Sequence, residues 1–263
     1  MQTEKQIHLQ INTPQIIATG ISDVGSLRTE NEDSIWMEDS GLVLLVADGM
    51  GGHERGAEAS QKAVEVFRKR LAPDTIKHEL DDITAMIEVP SEISRLFPIV
   101  NRAVDQAATT VYERNLELEL ERYMGTTVVG LVLVEDDYVL WFHVGDSRLY
   151  RWKNSQLEQL TTDHSAHALW EQEGQIGKEP RKNIITRAIG PNPFVQAETN
   201  WAKREKDDMF ILCSDGLSDM ISDEEISKIL KDESDVDKTA ELLVSAAIEA
   251  GGKDNISVIV CRT

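Results

Sequence analysis

Four aspartates stand beside the ends of apolar runs, each with a glycine within two residues. Asp48 follows "VLLVA" and opens "DGMGG", Asp146 follows "WFHVG", Asp215 follows "FILCS" and precedes a glycine, and Asp254 precedes "NISVIV". A carboxylate at the tip of a buried strand is costly to ionise unless a cation faces it, and several such groups in equivalent places repel one another. No lysine or arginine occupies a comparable strand end. Hard divalent ions suit the donors: carboxylates and a glycine carbonyl match magnesium or manganese, with water completing an octahedron. Asp48 could bridge two ions through its two oxygens, and two ions a few ångströms apart would activate a shared water and clamp a phosphate. A single Asp-Gly after an apolar run is usually only a turn. Four such aspartates at strand ends change the reading, and glycine beside Asp48, Asp146 and Asp215 lets backbone or ligand approach closely.

A further polar stretch, "DVGSLRTENED" over residues 23–33, places Arg28 four residues before Glu32 and leads into a strand. An arginine fork can bind two phosphate oxygens at once, although taken alone Arg28 reads as a surface ion-pair partner. The distinction matters because 27 basic against 47 acidic residues leave a net charge of -20. That field repels nucleic acid and anionic membrane alike, so a phosphate has to be drawn by the site itself.

The elements that must position these residues read as two kinds. Strand-like runs cover 16–22, 33–38, 42–47, 126–134, 138–145, 147–152, 209–214 and 256–261, mostly separated by turn residues such as "VEDDYV", as antiparallel hairpins require. Helical spacing puts Ala59, Ala63, Phe67 and Leu71 on one face of 56–71, with basic residues in its last turn, and Val100, Val104, Ala107 and Val111 on one face of 97–115. "SDEEISKIL" opens with the capping-box pattern Ser222 to Glu225, and "DKTAELLVSAAIEAGG" ends on paired glycines. Strands and helices that segregate along the chain indicate an α+β fold, sheet on sheet with helices outside.

At 263 residues and 41% hydrophobic, the chain can bury a substantial core. It shows no repeat, low-complexity tract or linker, so a single domain over 1–263 is expected. There is no apolar run long enough for a membrane span and no secretory pattern at the start, which predicts a cytoplasmic protein. Cys213 and Cys261 lie far apart inside apolar runs and read as buried reduced thiols rather than as a disulfide or structural zinc site. Neither has the C-x5-R spacing of thiol phosphatases.

The order "DVGSLRTENED", "VADGMGGHERGAEAS", "MGTTVV", "WFHVGDSRLYR", "LTTDHS", "ITRAIG", "ILCSDGLSDMI" and "GGKDNISVIV" resembles the metal-dependent PPM-type (type 2C) serine/threonine protein phosphatases in their bacterial stand-alone form, from about Gly20 onward. The resemblance implies a four-layer α-β-β-α sandwich, two antiparallel sheets flanked by helices, with two Mn2+ or Mg2+ ions between the sheets. It implies that Asp48 bridges the ions, that Gly49 offers its carbonyl to the second, and that Asp215 and Asp254 bind the first. Glu32 and Asp33 match the acidic pair that holds the second ion's waters, Arg28 matches the phosphate-binding arginine, and Asp146 with Asp215 matches the site of a third, weaker ion. The implied reaction is hydrolysis of phosphoserine or phosphothreonine in proteins by direct attack of a water activated at the dinuclear centre. The implied partners are phosphorylated proteins, often a bacterial Ser/Thr kinase and its targets, and a monomer is the default.

Animal members carry a histidine directly after the Asp-Gly pair, where this chain has Met50. His53, in "DGMGGH", is either the proton donor or a brace for the loop, and a metal-bound water could take the donor's part. Residues 166–183, "AHALWEQEGQIGKEPRKN", match a mobile flap subdomain at about 165–185 that could discriminate phosphopeptides, or else form an ordinary exposed helix and loop. Trp170 faces substrate or packs within the flap. Two other functions stay open: a catalytically dead module that recognises phosphoproteins, against which the retained acidic residues and Arg28 weigh, and a hydrolase of small phosphate esters, separable by comparing turnover on a phosphothreonine peptide and on metabolite phosphates.

Overall fold

The structure, a computed structural model, describes residues 6–51, 55–80, 89–134 and 138–263. One sheet runs in the order β1 (Gln6–Asn12), β2 (Ile17–Asp23), β12 (Ile256–Arg262), β11 (Met209–Cys213), β8 (Arg148–Lys153) and β9 (Gln156–Gln159). The other runs β10 (Glu198–Lys203), β7 (Tyr138–Val144), β6 (Val128–Val134), β4 (Val43–Met50) and β3 (Asp33–Met37), with β5 (Gly125–Thr126) paired to the tip of β4. Every pairing is antiparallel.

Side-chain alternation along the strands builds the layers. In β4, Val43, Leu45 and Ala47 join the cluster under α1 (Arg55–Arg70), α2 (Pro73–Leu80) and α3 (Ser91–Glu117), whereas Leu44 and Val46 join the cluster between the sheets. In β11, Met209, Ile211 and Cys213 face the helices α5 (Asp215–Ser218), α6 (Asp223–Asp232) and α7 (Val236–Glu249), and Phe210 and Leu212 point between the sheets. The product is the expected α-β-β-α sandwich. Its parity decides where Asp48 goes: two residues beyond Val46 on the same strand, it shares the inter-sheet face.

The predicted helix faces are buried as expected. Ala59, Ala63, Phe67 and Leu71 are fully buried, and the Phe67 ring packs 5.5 Å from that of Phe142 on β7. Phe67→Ala would cost about 3–5 kcal/mol by emptying this contact. The capping box at Ser222 and Glu225 is formed. Two expectations stop short. Helix α3 begins at Ser91 and runs through Pro98, because Ile93 and Leu96 are buried against the core and that burial outweighs the bond the proline removes. Strands β1, β9 and β10 escape the strand reading because they lie at sheet edges and bury little. The centre of the "VEDDYV" turn, 135–137, lies outside the described residues. Cys213 and Cys261 are free and buried. No helix among the described residues is long and apolar enough to cross a membrane.

Candidate active site

The ends of both sheets bring five aspartates to one cleft. Asp48 sits on β4 and Asp33 directly opposite it on β3. Asp146 follows β7, Asp215 follows β11 as the first residue of α5, and Asp254 precedes β12. The main chain of Asp48 is clamped by the "MGTT" segment. Its amide donates to Thr127 Oγ1 (3.1 Å), and its carbonyl accepts from Thr126 Oγ1 and the Thr127 amide (2.8 Å each). Asp33 accepts the Ser214 hydroxyl across the gap between the sheets (2.9 Å).

The loop carrying Arg28 is tied to the Asp254 corner by Asn255, which is buried. Its side-chain carbonyl accepts the Glu32 amide (2.8 Å), and its NH2 donates to the carbonyls of Val24 and Glu30 (2.9 Å each). Gly25 completes the approach: it has φ +76°, and a Cβ there would lie 2.2 Å from the Asp254 carbonyl oxygen. Arg28 Nη2 consequently reaches Asp254 Oδ2 at 2.7 Å, with Glu32 4.0 Å from the guanidinium. Glu32 also accepts the Gly56 amide (3.1 Å) at the start of α1, where the helix dipole favours a carboxylate. Gly49 is a glycine for a backbone reason, since a Cβ would come within 2.1 Å of the Gly56 carbonyl oxygen and 2.5 Å of that of Glu32. His53 lies outside the described residues.

Electrostatically the cleft is under strain. Burial pushes the Asp48 carboxyl well above the usual range, and the charges of Asp33, Asp215, Asp146 and Asp254 add to it. Burial likewise raises Asp33 to about 7, with Asp215 and Asp254 contributing against the Ser214 hydroxyl. Asp146 rises to about 7, through burial and then Asp215, and Asp215 to about 6, through burial and then Asp254. Oδ1 of Asp146 and Oδ1 of Asp215 are buried without a hydrogen-bond partner, which native interiors rarely tolerate. The cleft thus gathers hard oxygen donors, and this set fits divalent manganese or magnesium.

Beside Asp146 and Asp215 opens a cavity of about 210 Å³, whose far wall includes His167, Ala168 and Glu171 of α4 (Ala166–Gln172). The segment bearing α4 is pinned at its base by the Ala166 amide on the Ile184 carbonyl (2.8 Å) and by the bridge between Ser165 and Ile185. The Trp170 ring packs 5.6 Å from that of His167 within the segment. Arg148 and Asp163, paired at 2.8 Å, also line this cavity.

All the site residues named from the sequence that are described lie around this one cleft. Those the sequence reading passed over are the positioners: Thr126, Thr127, Ser214 and Asn255. Their only signal is a polar side chain abutting a buried strand inside a motif already noted.

Similarity to known proteins agrees with this geometry. The sequence model of the family "Protein phosphatase 2C" matches residues 28–250. The serine/threonine phosphatase stp of Listeria monocytogenes serotype 4b is 36% identical over 248 residues, 91% of this chain and 92% of that protein. The crystal structure of serine/threonine phosphatase Stp1 from Staphylococcus aureus superposes with a TM-score of 0.80 at 27% identity, covering 98% of each chain. The catalytic domain of the serine/threonine protein phosphatase PstP, solved in complex with two manganese ions, superposes with a TM-score of 0.75 at 30% identity over 94% of this chain and 97% of that one. This chain therefore belongs to the protein phosphatase 2C family of metal-dependent serine/threonine phosphatases.

Proposed function

We propose that this cleft removes phosphate from phosphoserine and phosphothreonine in proteins, by direct attack of water and without a covalent phosphoenzyme. The observation that carries the reading is the meeting of five mutually repelling aspartates from both sheets, Asp33 and Asp146 buried among them, with one half-exposed arginine beside them. Asp48, the Gly49 carbonyl, Asp215 and Asp254 would hold two Mn2+ or Mg2+ ions, with Glu32 and Asp33 steadying the second, and Asp146 would share a third with Asp215. When bound, such ions supply an activated water and neutralise phosphate charge. Arg28, whose side chain is 47% exposed, turns from Asp254 to grip two phosphate oxygens and orient the ester. The thiols support direct attack, because neither is available as a nucleophile: burial pushes Cys213 and Cys261 up to about 12, and both point into apolar layers.

The flap subdomain at about 165–185, within a single domain, borders the cavity at Asp146 and Asp215 and is placed to touch the polypeptide around the phosphorylated residue. In this reading the protein acts in the cytoplasm as a monomer and opposes a bacterial Ser/Thr kinase. Manganese-dependent hydrolysis of a phosphothreonine peptide by wild type and Asp48→Asn, with EDTA as control, tests the proposal. Metal-dependent turnover that collapses in the variant is expected. Tight manganese binding by a wild type that hydrolyses no phosphopeptide would overturn it in favour of a phosphoprotein-binding module.

A further inference from the structure

A second constellation of ligand atoms lies outside the aspartate cleft. His143 on β7 stands directly opposite Glu198 on β10, so both project on one face of the sheet. The His164 ring stacks on that of His143, with centroids 4.4 Å apart and planes 12° from parallel. His164 Nε2 lies 3.6 Å from Glu198 Oε2, and one ligand atom from each of the three residues falls within 4.8 Å of the others.

Two hydrogen-bonding demands in this cluster are unmet. His143 is fully buried, and its Nε2 lies 2.8 Å from the Thr162 carbonyl oxygen. That contact puts the proton on Nε2 and leaves a lone pair on Nδ1, which is buried without a partner. His164 has the opposite problem. The Gly145 amide approaches its Nδ1 and Arg187 Nη1 approaches its Nε2, each at 3.1 Å, yet a neutral imidazole can accept only one of these two donors. Protonation relieves neither, and burial holds the His164 ring neutral, pushing it down to about 3.

We propose that His143 Nδ1, His164 Nε2 and the Glu198 carboxylate form a zinc site separate from the aspartate cleft, with water as fourth ligand. Two imidazoles and one carboxylate are a donor set that zinc takes readily, and the Thr162 carbonyl on the far nitrogen of His143 is the outer-shell partner that fixes such a ligand. The way in is open: Arg187 is exposed and Glu198 is 43% exposed, so the guanidinium withdraws to solvent as the ion enters. Ligation requires the His164 ring to turn out of its stack and to carry its proton on Nδ1, which gives up the bond from Gly145. Both imidazoles bind as neutral rings, the form that burial already enforces.

The test uses the full chain carrying Asp48→Asn and Asp215→Asn, which disables the aspartate cleft, titrated with Zn2+ in the presence of Mg2+ and followed by calorimetry. One equivalent of zinc is expected, weakened at least about 10-fold by Glu198→Gln and by His164→Asn, with the fold of each variant checked by circular dichroism. Zinc should also shift the Gly145 amide resonance, and crystals should show an anomalous peak among the three side chains. Failure to bind zinc, or binding unchanged in both variants and so centred elsewhere, for example on His167 and Glu179, would overturn the proposal.

Discussion

Strand β11 has an aspartate beyond each of its ends, and the two are treated in opposite ways. At the start, Asp208 is paired with Arg151, accepts the Glu205 amide (2.8 Å), and lies where the Arg151 guanidinium crosses the Phe210 ring at 5.6 Å. At the far end, Asp215 stands among Asp48, Asp33, Asp146 and Asp254, with one oxygen buried and unpartnered. A buried charge with its own cation is structure, since the pair roughly offsets its desolvation. A cluster of buried carboxylates left without enough cations is a site, because only something brought from outside can relieve it. The contrast shows that the fold gives Asp208 a cation of its own, whereas the one arginine at the cleft rests on Asp254 and leaves Asp215 without a close pair.

Breaking the far end should have the largest effect. Asp48→Asn is expected to lower kcat on a phosphopeptide by at least about 10³-fold, about 4 kcal/mol. The same change should raise the melting temperature in EDTA, because it removes a repelled buried charge; a fall in both quantities would mean that Asp48 is a structural acid like Asp208.

The pH dependence of the EDTA-treated protein sharpens the comparison next. A carboxylate whose folded pKa is raised contributes stability that is present below its unfolded pKa and lost as pH rises through the folded one. For Asp33, Asp146 and Asp215 the loss should therefore run from about pH 4 to about pH 7. Taken singly, Asp33 corresponds to a change on the order of 4 kcal/mol. Saturating manganese should flatten this slope, and denaturant titrations across the range with and without the ion measure it.

Asp208→Ala attacks the paired end and should cost about 3 kcal/mol of stability by leaving Arg151 buried without its carboxylate, in metal-free and metal-loaded protein alike. Ser214→Ala should have the smallest effect. It removes the hydroxyl that Asp33 accepts, costs about 1 kcal/mol without metal, and raises the Asp33 pKa further, readable by NMR titration of the carboxyl carbon.

The acidic centre was legible because Asp48, Asp146, Asp215 and Asp254 stand at visible boundaries, where an apolar run stops or starts within two residues of a glycine. Arg28 and Glu32 were legible as a pair, but what they do at rest was not. Glu32 sits on the first turn of α1, and Arg28 rests on Asp254, because Asn255 folds their loop onto a strand end 223 residues away in sequence. Asn255 itself offers the sequence only one more polar residue. The same holds for His143, His164 and Glu198, which share no motif and meet through a cross-strand register and a loop.

By itself the sequence determined what depends on near neighbours: period-two alternation, helix faces, the capping box at Ser222, and the face of β4 on which Asp48 emerges. Only the tertiary structure decided which strand ends meet. The Ser214 hydroxyl reaches Asp33 across 181 residues of chain, and such a contact follows from how two sheets bury their inner faces against each other rather than from any local preference. Packing between those faces is also what sets five ordinary aspartates against one another.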